Sequence, residues 1–156
     1  MSANIEFFSR NFDAADTFYR EAAAKHRQGG VDFSGSVRFL SALGFIRSSL
    51  GSAKEGRALL EEARALDQKE LQLAPENSAL LYSLAASNMA LGETEKAFEA
   101  LNQAVEAGWV DYRSMNLDPR FDAVRDTDAF RDIIARLTTK VQAMRDNVLR
   151  RKRLAN

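Results

Sequence analysis

Apolar residues recur along this chain at helical spacing, and the recurrences come in pairs. Over residues 78–109, SALLYSLAASNMALGETEKAFEALNQAVEAGW, Leu81, Leu84 and Ala85 share one face of a helix. Gly92 interrupts the pattern, and Ala97, Leu101 and Ala104 resume it on a second helix. Small residues at Ala85, Ala97 and Ala104 let two such helices approach closely, while Leu81, Leu84 and Leu101 fill the seam. The same order occurs upstream. Leu40 and Leu43-Gly44 mark a helix over 35–50, Gly51 breaks it, and Gly56, Leu60 and Ala63 mark a helix over about 53–74, which Leu66, Leu71 and Ala74 prolong. Phe12, Ala15, Tyr19 and Ala22 mark a helix over 12–28, with Asn11 as its candidate N-cap and Gln28-Gly29-Gly30 as its end. Only the short piece 4–10 precedes it. Ala15, Gly56 and Ala97 fall at the same place in each unit, 41 residues apart each time.

After Trp109 the pattern changes. Residues 109–126, WVDYRSMNLDPRFDAVRD, predict a short helix, a Leu-Asp-Pro turn and another turn of helix, because a residue before Pro, here Asp118, is disfavoured in helix. Thr127 or Asp126 then caps a long final helix. Phe130, Ile134, Leu137, Val141, Met144 and Val148 are spaced 4, 3, 4, 3 and 4 along it, a heptad stripe.

The stretch 78–109 resembles a tetratricopeptide repeat, with Leu81, Leu84-Ala85, Ala97 and Leu101 in the family's pattern places, Asn88 where a Tyr is usual and Trp109 where a Pro is usual. Ala74-Pro75-Glu76-Asn77 resembles the junction that often joins two such repeats, and the run 107–130 is similar to the segment that closes many bacterial arrays. The family period is roughly 34 residues, so each unit here carries an insertion of about two helical turns, which barely rotates a buried face. The resemblance implies an all-α, right-handed helical-hairpin solenoid of about two and a half repeats with a long C-terminal capping helix. Its expected parts are a partial N-terminal repeat over 4–28, a repeat with a lengthened second helix over 35–75, a repeat over 78–108, a closing segment over 109–126 and the capping helix over 127–152. The first unit begins midway through a repeat; either the array continues upstream or the N-terminal repeat is degenerate.

Composition excludes more than it assigns. The chain has 156 residues, 22 acidic and 22 basic, so no global field points to nucleic acid or an anionic membrane. Only two Pro residues fit an all-helical chain. There is no Cys, hence no disulfide framework or thiol chemistry. No run approaches a membrane span, and MSANIEFFSR lacks the basic start and apolar run of a signal peptide, so a cytoplasmic location is expected. His26, the one histidine, reads as a helix-end cation beside Lys25 and Arg27; no His/Cys cluster predicts a metal, and none is expected. No glycine pattern forms a phosphate cradle and no G-x-S-x-G elbow occurs, so neither cofactor nor catalysis is expected. Glu61-Glu62 and Asp126/Asp128 read as solvated surface and helix N-terminal partners.

A helical solenoid offers surface. In the tetratricopeptide family the first helix of each repeat lines a concave groove, which here implies Arg38, Ser41, Phe45 and Ser48 in one repeat and Tyr82 and Met89 in the next. Phe45, Tyr82 and Met89 would give a peptide apolar contact and Arg38 a carboxylate partner, and should then be partly exposed; packing between repeats is the competing use of the same positions. The Lys and Asn set with which some relatives grip a C-terminal carboxylate is absent, its places holding Ser41, Phe45 and Ser83. Two further surfaces stand out. The stripe exceeds what capping one helix pair needs, so Ile134, Leu137, Val141, Met144 and Val148 are expected to hold a homodimer. Arg150, Arg151, Lys152 and Arg153 end a half-chain, 111–156, with 11 basic and seven acidic residues, against 11 and 15 in 1–110. The expected function is a non-catalytic protein–protein interaction module, bacterial by its closing segment, that binds a peptide or protein on its concave face. The alternative is a nucleic-acid-associated or transcription-regulatory subunit that uses the basic tail.

Overall fold

The structure, a computed structural model, describes residues 3–27 and 36–154; the side chains at 3, 22, 23, 25–27, 36–38 and 152–154 lie outside that description. Among the described residues every regular element is helical. These are α1 (Ala3–Phe8), α2 (Phe12–Arg27), α3 (Ser36–Ser49), α4 (Ala53–Leu71), α5 (Ser78–Ala90), α6 (Thr94–Glu106), α7 (Tyr112–Leu117), a 3-10 helix (Pro119–Val124) and α8 (Asp128–Leu154).

From α1 to α6 each helix packs on the next, and α3 also touches α5. The turns explain why. Gly51 and Gly92 take φ of 90° and 81°, a left-handed conformation that costs glycine nothing. The last carbonyls of α3 are met by Gly51 N on Ser48 O at 3.2 Å and Ser52 N on Arg47 O at 2.8 Å. Those of α5 are met by Gly92 N on Met89 O at 3.0 Å and Glu93 N on Asn88 O at 2.9 Å. Every residue in the second set is the first set's counterpart 41 positions on. A turn this short forces the next helix back along its predecessor. Between the hairpins, Asn77 caps α5 by accepting from Ala79 N at 3.1 Å and Leu80 N at 3.3 Å.

Two apolar clusters form the core. One joins α1 to α4 through Phe7, Ala15, Tyr19, Leu40, Leu43, Ile46 and Leu59. The other joins α5 and α6 to the closing elements through Leu81, Ala97, Leu101, Met115, Phe121, Phe130 and Leu137. Within α3/α4 the crossing is backbone on backbone: a Cβ added at Gly44 would meet Gly56 O at 2.8 Å, and one at Gly56 would meet Gly44 O at 2.5 Å. At the equivalent places in α5/α6, Ala85 and Ala97 are both wholly buried.

Two details depart from the sequence reading. Helix α4 stops at Leu71, short of Ala74, and leaves Leu73 exposed. Helix α8 presents Phe130, Ile133 and Leu137 to the core, and Ile134 is only half-buried, because a straight helix drifts from a strict heptad and the facing helices pick the better-aligned residue. Asn11, directly before α2, donates its side-chain amide to Glu6 Oε2 at 2.7 Å.

Candidate functional site

The inner positions of the two hairpins converge on one ion pair. Ser41 of α3 and Tyr82 of α5 are counterparts, 41 residues apart, and both are buried. Between them sits the turn that follows α7. Asp118 has extended backbone, as expected before Pro119, and caps the 3-10 helix by accepting from Arg120 N at 3.0 Å. The same carboxylate takes the Arg120 guanidinium at 2.9 Å through Nε and 2.5 Å through a terminal nitrogen. The Tyr82 hydroxyl donates to Asp118 Oδ2 at 2.9 Å. Arg120 spends another donor on Ser41 Oγ at 2.8 Å, and Ser87 Oγ–H donates to Ser41 Oγ at 2.9 Å. Apolar groups close the cage. The Phe7 ring lies 5.5 Å below the guanidinium carbon, and Trp109 stacks on Tyr82 with centroids 4.3 Å apart and planes 7° from parallel.

Burial sets the charges. It pushes the Tyr82 hydroxyl well above its ordinary range, and the neighbouring Asp118 carboxylate pushes it further. Burial likewise drives Tyr19 up to about 12; Arg120 offsets part of that and Asp118 adds to it. For the Arg120 guanidinium, burial acts downward, but the charge and hydrogen bonds of Asp118 outweigh it and hold the cation above its usual range. A second, exposed link runs from the N-terminal segment to the same closing elements. Arg10 reaches Asp122 at 2.6 Å, and Arg125 meets the same carboxylate at 2.6 Å. Together these two cations hold the Asp122 carboxyl below its usual range against the opposing effect of partial burial.

The implied groove residues are therefore brought together, but two of the three meant to be open are covered. Tyr82 and Ser41 are buried because the turn Asp118–Phe121 and Trp109 pack on this face, and Met89 is buried within the α5/α6 core cluster. Phe45 and Ser48 stay half-buried, with Phe45 edge-on to Phe7 and Phe12 at 6.1 and 5.8 Å. The Arg38 side chain lies outside the described residues. Sequence reasoning did not assign Asp118, Arg120 or Trp109 to this face. The signal available was the unusual Trp at a Pro position and an Asp-Pro-Arg run inside an otherwise amphipathic segment.

The far end of α8 forms a second face. Leu137 is fully buried, and Ile134 and Val141 are half-buried. Beyond them Met144, Val148 and Leu149 are each 52% exposed, and with Val110 (36%) and Arg145 they line a shallow cleft of about 390 Å³. Arg150 and Arg151 are exposed; the side chains of Lys152, Arg153 and His26 lie outside the described residues. Among the described residues no group of three or more His, Cys, Asp or Glu is placed to hold a metal ion, and no helix is long and apolar enough to cross a membrane. Compared with models of protein families, with curated proteins and with solved structures, the chain matches none.

Proposed function

We propose that this chain is a non-catalytic protein–protein interaction module, a tetratricopeptide-like right-handed solenoid whose concave face receives a peptide or protein segment. The observation that supports the reading is the 41-residue equivalence between hairpins. It holds for the turn hydrogen bonds at Gly51 and Gly92, for the small crossing pairs Gly44/Gly56 and Ala85/Ala97, and for the inner pair Ser41/Tyr82. Equivalent inner positions then form one continuous face. Its inner end is filled by the chain's own Asp118–Phe121 turn, so the partner reaches the end marked by Phe45 and Ser48. A benzoylphenylalanine placed at Phe45 keeps the aromatic packing and tests this directly. Partners captured by the intact chain should crosslink from position 45 and not from Glu62, an exposed position on α4. The opposite pattern sinks the concave-face reading. A second reading follows from the exposed Arg150 and Arg151: a nucleic-acid-associated subunit. Its sign would be an affinity for duplex DNA that falls steeply with salt and loses that slope when Arg150 to Arg153 are neutralised.

A further inference from the structure

The end of α8 carries an apolar strip whose flanks are charged in one sign. Val141, Met144 and Val148 continue the heptad, and Val110, from the segment between α6 and α7, deepens the strip into a cleft. The positions that flank a helix docked there are Lys140 and Asn147 on one side and Thr138 and Arg145 on the other, none of them acidic. Lys140 is fixed by donating to Val105 O at 3.0 Å, and Arg145 lines the cleft itself. Asp146, the one acid between Thr138 and Leu154, falls outside these flanking positions and accepts from Gln142 at 3.0 Å. Against it that stretch holds six basic residues: Lys140, Arg145, Arg150, Arg151, Lys152 and Arg153.

This charge decides the occupant. Pairing two copies along the strip sets Lys140 of one helix opposite Arg145 of the other in a parallel arrangement, and in an antiparallel one leaves both facing neutral or basic flanking positions. In either arrangement no acidic flanking residue compensates these charges, and in the parallel one the two strongly positive helix ends also lie side by side. The homodimer expected from the stripe alone is thereby disfavoured. The cleft shape also matters: the notch between α8 and Val110 accepts the projecting apolar side chains of a docked helix. We infer that the strip Val141–Leu149 docks an acidic amphipathic helix of another protein, about three turns long, with apolar residues in the cleft and Glu or Asp facing Lys140 and Arg145. This surface is separate from the concave face, and neither reading depends on the other.

The test uses the intact chain and two fluorescent helical peptides with the same Leu stripe, one flanked by Glu and one by Lys. The Glu peptide should bind, at least tenfold more tightly than the Lys peptide, and raising salt from 50 to 500 mM should weaken it several-fold. Val148→Asp and Arg145→Glu, both at exposed positions, should each cost tenfold or more while the melting curve stays unchanged. Phe45→Gln should leave this binding intact, which keeps failure here distinct from failure of the concave-face reading. Equal binding of the two peptides would overturn the inference. So would a dimer in sedimentation that Val148→Asp dissolves, or tighter binding to phosphatidylserine vesicles than to the Glu peptide with the same dependence on Val148.

Discussion

The hairpins α3/α4 and α5/α6 share a turn, a register and a spacing, yet they solve their two shared problems with different residues. At the crossing, the first sets Gly44 against Gly56, and at the equivalent places the second has Ala85 and Ala97, both wholly buried. On the inner face, the first offers the short hydroxyl of Ser41 and the second the long phenol of Tyr82. The inner difference lets one asymmetric object be held between two equivalent positions: Ser41 accepts from Arg120 while Tyr82 donates to Asp118. The lesson is that repetition sets the geometry and departures from it assign the roles.

The largest effect should come from breaking that inner object. In Asp118→Ala the guanidinium of Arg120 is left buried without its partner, which should cost about 3–5 kcal/mol in urea unfolding. Replacing both members, Asp118→Leu with Arg120→Met, should recover most of the loss, because the desolvation of the two charges disappears with them. A single-variant loss below about 1 kcal/mol would mean that water reaches the pair and that the two hairpins are not tied through it.

The crossing comes next. One carbon added at Gly56 points at the Gly44 carbonyl 2.5 Å away, and backbone cannot swing aside as a side chain does. Gly56→Ala should therefore lose about 1–3 kcal/mol even though alanine is the better helix former by about 1 kcal/mol. At the counterpart Ala97, wholly buried, a comparable loss should need the three further carbons of Ala97→Leu. If Gly56→Ala stabilises the protein, the first crossing is looser than the second.

How much of this was legible follows from what each signal measures. Helix positions were readable because periodicity reports a local fact: the spacing of Leu81, Leu84 and Ala85 or of Ala97, Leu101 and Ala104 fixes which side is buried whatever lies opposite. The glycine turns were readable for the same reason. The covering of Tyr82 was not, since Asp118 lies 36 residues away and Ser41 lies 79 residues from Arg120. No spacing rule encodes a contact of that separation. The choice of Ile133 over Ile134 on α8 was also hidden, because only the facing helices decide between adjacent apolar residues.

The inner difference has a pH signature. Tyr19 and Tyr82 hold their protons to higher pH folded than unfolded, where a tyrosine titrates near 10. Their contribution is complete below pH 10 and is lost as pH rises through the folded values, about 12 for Tyr19 and well above the ordinary range for Tyr82. Stability should be level from pH 7 to 9 and then fall above pH 10, by about 1.4 kcal/mol per pH unit up to pH 12 for Tyr19, with Tyr82 adding to the fall in the same direction. Tyr82→Phe should remove one tyrosine's share of that slope. An unchanged slope would assign the alkaline loss to groups off this face.

The smallest effect tests whether the two crossings can be interconverted. Ala97→Gly makes the second hairpin resemble the first at one of its two positions. It removes a methyl that is wholly buried and loosens the helix backbone, so a loss of about 1 kcal/mol is expected from propensity alone. Ala85→Gly should lose a similar amount. The informative variant is the pair. If Leu81, Leu101 and their neighbours hold the helices at their present separation, the two losses add to about 2 kcal/mol, within about 0.5 kcal/mol. If the helices close onto each other as α3 and α4 do, the double variant regains contact along the seam and loses clearly less than the sum. Additivity would show that each hairpin's packing sets the distance and the small residues merely permit it. Coupling would show that the small residues set the distance themselves.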